Sequence, residues 1–445
     1  MKLNRTHKPD LKSWLKSAND GETDFPIQNL PFAIFRRKQS EESFRAGVAI
    51  GDQIVDLKAA HKAGVFSIDL TPTLKTLYKS RLNKFMALGQ KTWSALRAEL
   101  SDALAEGAAA QSILENCLVA QQLAEYQVPA RIGDYTDFYT SIHHASNVGK
   151  LFRPDNPLLP NYQWIPIGYH GRSSSIEVDG HSFHRPYGQL KAPDRDTPVL
   201  APCKRLDYEL EVGIYIGEGN ELGDPINIDE AENHVFGLCV FNDWSARDIQ
   251  AWEYQPLGPF LSKSFASTVS PWIVTMEALA PFREPWSRPS DHPQPLSYLS
   301  SESLYKEGAV DMHLQVSLQT DTMRANKEMP QKLAQSNFNQ SYWSISQMVA
   351  HHSVNGCNLK PGDFFGSGTQ SGNTKDSVGA MLEASDGGKN ALTLANGEQR
   401  TFLEDGDTVM LTGWCEKAGY PRIGFGQASA TVLPAKLLTN ELENS

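Results

Sequence analysis

Glu209 and Glu211 are the first residues whose spacing suggests chemistry. They lie in RLDYELEVGIYI, where Tyr208, Leu210, Val212, Ile214 and Ile216 alternate with Asp207, Glu209 and Glu211. On a strand, residues two apart share a face with Cα atoms ~6.5–7 Å apart, so the two glutamates project together. The strand alone leaves open a solvated polar face. It equally allows a carboxylate pair for a hard cation or for glycoside hydrolysis, which uses carboxyl separations of ~5–9.5 Å. Asp243 stands where an apolar run, Val235 to Phe241, emerges into NDWSARDIQAWEY. If that segment is helical, Arg247, Gln250 and Tyr254 share one face, as the polar side of an amphipathic helix or as donors for an anionic oxygen. Lys263 follows in LGPFLSKSF, either as an exposed loop charge or as a buried cation paired with a carboxylate.

A second group lies upstream. GDYTDFYTSIHHASNVG brings Asp137, Tyr139, His143 and His144 within eight residues. A histidine is more often structural than catalytic, and two of them beside an acid and a phenol strengthen the case for proton transfer while leaving the structural reading open. The following segment supplies Arg153, Tyr169 and His170 in a loop rich in Pro and Gly. GEGNELG and GSGTQSG are each one residue too long for the dinucleotide fingerprint, and there is no GxxxxGK[ST], HExxH or GxSxG. His351 and His352 have no ligand partner at i+4 and are expected on the surface of a helix.

Taken in order, DYTDFYTSxxHAxNVG, NPLLPNYxxxPIGYHGRxSS, RLDYELEVG, NDWSARDIQAWEYQPLGPFLSKSF, SGTxSG…GAMLE and RIGFGQ resemble the fumarylacetoacetase (fumarylacetoacetate hydrolase) family from about Gly133 to Pro434. The resemblance implies hydrolysis of the carbon–carbon bond of 4-fumarylacetoacetate, the last step of tyrosine and phenylalanine degradation, with Ca²⁺ or Mg²⁺. By motif match it implies Asp137, Glu209, Glu211 and Asp243 as metal ligands, with Lys263 and Ser267 at the same metal site. This nitrogen-free oxygen set suits a hard cation. His144, which precedes Ala-x-Asn-x-Gly, is implied as the base, with Glu383 accepting from its other ring nitrogen. Arg247, Gln250 and Lys263 are implied as catalytic groups stabilising the oxyanion and the enolate-like leaving group. Tyr139, Arg153, Tyr169, Gln250, Tyr254 and Thr369 are implied to bind the diketo-acid substrate. The chain departs from the family pattern at Ala266-Ser267, where Gly-Thr is usual, and in the SGNTKDSVGAMLE loop before Glu383.

These residues need elements to hold them. AGVAIGDQIVDLKAA reads as a hairpin, and Leu82, Phe85, Met86, Trp93, Leu96, Leu100 and Leu104 recur at helical spacing within a long helix expected from about Arg81 to Tyr126. Pro129 ends that pattern and sets a boundary between domains 1–128 and 129–445. Beyond it, Leu206–Ile216, Val235–Phe241 and Val310–Leu318 read as strands, Ser341–Val354 as a helix, and Pro281–Pro295, with five prolines, as a surface crossover. Strands outnumber helices without alternating with them, so a parallel βαβ sheet is not expected. The spacing thus gives a mixed, β-rich chain. The resemblance refines it to a small N-terminal SH3-like β-barrel domain with helices and a large C-terminal mixed β-roll, in a homodimer.

Composition bounds the rest. The 445 residues carry 41 basic and 52 acidic side chains, a formal charge of −11 with no basic run, which argues against nucleic acid. No stretch reaches the ~18 apolar residues of a membrane helix, and the N-terminus lacks a secretory apolar region. Five scattered cysteines, none in CxxC spacing, fit a reducing cytoplasm. Three rival readings remain: another acylpyruvate hydrolase or decarboxylase–isomerase of the same superfamily, a two-carboxylate glycosidase, and a metal-binding scaffold without turnover.

Overall fold

Five short strands, Phe32–Arg37, Arg45–Ile50, Gln53–Asp56, Leu118–Ala120 and Ala124–Gln127, pair antiparallel into one N-terminal sheet. The computed structural model describes residues 2–437, apart from the side chain of Phe152. The expected hairpin is present as Arg45–Ile50 against Gln53–Asp56. The expected long helix is not. Its apolar positions are all buried, but Leu82 only caps the short Asn83–Met86 helix, the others are divided between that helix and the fifteen-residue Gln90–Leu104 helix, and the final residues form the two strands Leu118–Ala120 and Ala124–Gln127. Gly89 and Gly107, with φ of 77° and 79°, punctuate both ends of the main helix. The amide groups of the last stretch gain sheet partners that a helix would have denied them.

The rest of the chain is dominated by two sheets. An eight-stranded sheet has the central order Tyr135–Phe138, Phe364–Gly366, Leu210–Ile216, Val235–Asp243, Ser267–Val269. A five-stranded sheet runs Gln331–Asn337, His313–Gln319, Thr408–Lys417, Tyr420–Leu433, His181–His184. Most pairs are antiparallel, and the parallel ones join strands distant in sequence, such as Phe364–Gly366 with Tyr135–Phe138. Leu210, Val212 and Ile214 of the first sheet and Leu314, Val316 and Leu411 of the second share one apolar core. The other face of the first sheet, including Tyr215, Phe236, Cys239 and Phe241, packs with Leu30, Phe85, Trp93 and Leu96 of the N-terminal region. The large sheet is therefore covered on both faces, and the Leu210–Ile216 strand is buried at every position.

Two smaller expectations change. The helix near residue 341 begins only at Ile345, because the Ser344 side chain accepts the Gln347 N–H and the Gln347 side chain caps in return. His351 and His352 are half-buried, not on an open helix surface: His351 bonds Tyr298 Oη, and His352 bonds Thr136 Oγ1 while stacking on Phe365. The proline-rich connector is only partly a surface crossover, since it buries Trp286 and Pro295. Among the described residues no helix is long and apolar enough to cross a membrane.

Candidate active site

Four carboxylates converge at one end of the large sheet. Asp137, Glu209, Glu211 and Asp243 are all buried, and one oxygen from each lies within 4.8 Å of the others. Side-chain alternation explains the meeting. Asp137 is two residues from Tyr135, Glu211 four from Tyr215 and Asp243 two from Phe241, so each shares the face that packs against the N-terminal region. That face is not solvated. Phe364–Gly366 runs between the strands bearing Asp137 and Glu211, and it contributes Gly366 there. A Cβ at Gly366 would stand 2.8 Å from Asp137 Oδ1 and 2.9 Å from Glu211 Oε2, so only glycine leaves the space open.

The acids are unequally balanced. Lys263 Nζ donates to Glu209 Oε2 and, at 2.7 Å, to Asp243 Oδ2. Arg247 reaches Glu209 Oε1 at 2.8 Å and Asp207 Oδ2 at 2.9 Å. Ser267 Oγ donates to Asp243 Oδ1 at 2.9 Å, so the serine at the departure from the family pattern keeps a hydroxyl contact on this acid. Burial pushes the Glu209 carboxyl up, but Lys263 and Arg247 outweigh it and hold Glu209 below the usual range. Burial and the neighbouring acids drive Asp137 and Glu211 well above that range. Burial also raises Asp243, against the opposing pull of Lys263. Asp137 Oδ1 and Glu211 Oε1 are buried with no hydrogen-bond partner among the described residues. Five buried carboxylates around two buried cations, with two orphaned oxygens and a gap kept clear by glycine, fit a hard divalent cation.

Beside this floor stands His144, from the Ile142–Phe152 helix capped by Ser141 Oγ. Its Nδ1 lies 2.6 Å from Glu383 Oε2, and both side chains are almost fully buried. With Nδ1–H donated to the carboxylate, Nε2 is left as the acceptor. Glu383 also accepts from Asn147 Nδ2 at 2.8 Å and Ser371 Oγ at 2.7 Å. Burial would raise this carboxyl, yet the imidazole and the two donors bring it below its ordinary value.

Asp137, Glu209, His144, Lys263, Arg247 and Gln250 line one cavity of about 560 Å³, together with Tyr139, Arg153, Tyr169, Tyr254 and Thr369. The Arg247–Glu253 helix does place Arg247 and Gln250 on one face, with Tyr254 at its C-cap. Tyr169 Oη approaches Asp243 Oδ2 at 3.4 Å. Arg153 Nε, Arg247 Nη2 and Thr369 Oγ1 are buried without partners among the described residues, leaving donors for an anionic ligand. Glu211 and Asp243 lie outside this lining, each with an oxygen within 4.8 Å of those of Asp137 and Glu209 on it, and Ser267 reaches the site only through Asp243. His143 instead lines a separate cavity of about 950 Å³ with Lys150, Lys375 and Lys389, and His170 is exposed.

Three supporting residues lie within the quoted motifs but were given no role there. Asn147 and Ser371 fix Glu383, and Asp207 accepts from Met381 N at 2.8 Å and Leu382 N at 3.0 Å while pairing with Arg247. Asp207 thereby ties the helix bearing Glu383 to the helix bearing Arg247. Asn147 was detectable as the i+3 neighbour of His144. Asp207 carried only the alternation it shares with Glu209 and Glu211.

Comparison with known proteins bears on both parts of the chain. The family described as Fumarylacetoacetate (FAA) hydrolase C-terminal matches residues 135–433, and that described as Fumarylacetoacetase N-terminal matches residues 28–129. A fumarylacetoacetase of Rattus norvegicus is 46% identical over 419 residues, covering 93% of this chain and 97% of the relative. That of Homo sapiens is 46% identical over 421 residues, covering 94% and 98%. The Dictyostelium discoideum protein of the same name is 45% identical over 434 residues, covering 96% and 98%.

Proposed function

The chain belongs to the fumarylacetoacetase family, and from that premise we propose that it hydrolyses the carbon–carbon bond of 4-fumarylacetoacetate to fumarate and acetoacetate. The observation that carries the reading is the buried His144–Glu383 pair, 2.6 Å apart, with His144 on the wall of a cavity that Asp137 and Glu209 of the four-carboxylate cluster also line. Asp137, Glu209, Glu211 and Asp243 would hold a Ca²⁺ or Mg²⁺ ion, which would supply Lewis acidity toward the diketone carbonyls. Lys263 is not a ligand: the carboxylates keep its ammonium protonated despite burial, and it neutralises Glu209 and Asp243.

His144 Nε2 takes a proton from water, and Glu383 stabilises the resulting imidazolium. The hydroxide adds to the carbonyl of the fumaroyl unit. Its collapse breaks the bond to the methylene carbon, leaving the new carboxylate of fumarate. The electron pair departs as the enolate of acetoacetate, which the His144 imidazolium protonates on carbon. Arg247, Gln250 and Lys263 hold the negative charge that builds on oxygen, without which a carbon leaving group departs poorly. Arg153 and Thr369, with buried unpaired donors, meet a substrate carboxylate, and Tyr139, Tyr169 and Tyr254 shape the rest of the cavity.

The same reading takes residues 1–128 as an SH3-like domain, 129–445 as the catalytic β-roll, and the working form as a cytoplasmic homodimer. The test follows loss of the substrate's diketone ultraviolet absorbance in wild type and His144→Ala, with and without EDTA. Turnover is expected to need the cation and to fall by about 10²–10⁴ without His144. A preference for acetopyruvate in kcat/KM would overturn the substrate, and activity surviving chelation would overturn the chemistry.

A further inference from the structure

Arg288 belongs to the proline-rich connector and lies outside the cavity lining. Its guanidinium carbon stands 4.3 Å from the ring centroid of Trp343, 4.4 Å from that of Tyr342 and 5.3 Å from that of Trp286. Nη1 donates to the Gln163 carbonyl at 3.0 Å and to the Pro293 carbonyl at 2.7 Å. Nε and Nη2 are buried with no acceptor atom, so the aromatic faces are what they meet. A guanidinium enclosed in this way gives up hydration that an exposed arginine keeps. In return its Nη1 bridges two carbonyls while the planar group stays enclosed by the rings.

What it holds is the back of the cavity wall. The Tyr162 carbonyl, one residue before Gln163, accepts from Trp343 Nε1 at 3.1 Å. The near end of the same segment presses on the His144 helix, where a Cβ at Gly149 would stand 2.0 Å from the Pro157 carbonyl oxygen. Leu159 and Ile167 of this segment line the cavity, and Arg153 Nη2 donates to the Pro157 carbonyl at 3.2 Å. The Tyr162 ring also meets Tyr139 edge-on at 5.8 Å, and Tyr139 meets His144 edge-on at 5.5 Å.

We propose that Arg288 is a positioning residue for substrate binding, fixing segment 154–167 from behind and so setting Arg153 for a substrate carboxylate. The inference rests on the reading of this cavity as a diketo-acid site. It acts on binding more than on chemistry, because Glu383 is held by Asn147 and Ser371, which belong to other elements.

Arg288→Ala and Arg288→Lys test it by steady-state kinetics with fumarylacetoacetate. For Arg288→Ala the expected result is a KM raised about tenfold or more, the size of one lost charged hydrogen bond, with kcat and its pH profile close to wild type. Arg288→Lys keeps the charge but not the planar group enclosed by the three rings, and should fall between. Combined with Arg153→Ala, the loss of Arg288 should add little to KM, since it acts through Arg153. An unchanged KM in Arg288→Ala, or losses that multiply in full in the double variant, would overturn the proposal. Hydrogen exchange read without substrate gives an independent arm: amides of 154–167 should exchange faster in Arg288→Ala while the Gln90–Leu104 helix does not. Equal exchange in that segment would overturn the inference. Failure of the wild type to turn over fumarylacetoacetate would instead sink the substrate assignment, leaving the exchange result to decide on Arg288.

Discussion

Asp137 Oδ1 and Glu211 Oε1 are buried without partners, and burial among other acids raises both carboxyls well above their usual values. The sign of the consequence is fixed. Between the ordinary carboxyl pKa near ~4 and the raised folded values, the metal-free folded protein binds more protons than the unfolded chain. Its stability contribution from these two groups is therefore complete below pH ~4 and is lost as pH rises through the folded values. Thermal melts of EDTA-treated protein should drop relative to the Ca²⁺- or Mg²⁺-loaded form as pH is raised from acid. Titrating the cation into the stripped protein should release protons, read by calorimetry in buffers of different ionisation enthalpy. Glu383 behaves in the opposite sense. Its lowered carboxyl stabilises the fold above the ordinary range and loses that effect as pH falls through its folded value. Glu383→Gln keeps the shape but removes the charge that stabilises imidazolium. It should lower kcat by about 10² or more with KM little changed.

At the scale of the element, the strand Phe364–Gly366 contributes an absence of side chain. Gly366→Ala would put a methyl 2.8–2.9 Å from oxygens of Asp137 and Glu211, inside the space a cation needs. The variant should fold, because the strand keeps its partners on both sides. Its cation affinity should nonetheless fall at least ~10-fold, a loss comparable with that from altering ligand support. Isothermal titration with Ca²⁺ and Mg²⁺ checks it, and wild-type affinity would remove Gly366 from the site's design. The helices teach a different point. Apolar spacing correctly marked Leu82 through Leu104 as a buried face, yet it carried the helix past Gly107 into residues that pair as strands. Hydrophobic period alone does not register where a chain finds its hydrogen-bond partners.

At the scale of the molecule, the core shared by the N-terminal region and the large sheet decides the state of the acidic face. Phe236 is fully buried there, edge-on to Phe85 and Trp93 at 5.7 and 5.1 Å. Phe236→Ala should destabilise by ~3–5 kcal/mol, as large-to-small changes in cores do. Because both parts of the chain contribute to this core, the wild type should melt in one calorimetric transition. Two separate transitions, with the mutation moving only one of them, would show that the parts fold independently.

Some of this was settled by residue type and order. Alternation put Glu209 and Glu211 on one face, helical offsets put Arg247, Gln250 and Tyr254 together, and motif order implied His144 in preference to His143. These follow from local spacing, and the fold kept them even though Tyr208 and Glu209 fall between two strand segments. Whether the acidic face met water or a protein interior was not local. It depended on residues more than a hundred positions from Glu209 and Glu211, among them Phe85 and Trp93, packing on the same face of the sheet. The same holds for Lys263, whose loop reads equally as exposed or buried until Glu209 and Asp243 are brought to its ammonium. Asp207 and Arg288 left almost no trace in the sequence, because their roles lie in contacts with Leu382 and Gln163, more than a hundred residues distant. Spacing can say which side chains point together, but only the folded chain decides what they point at.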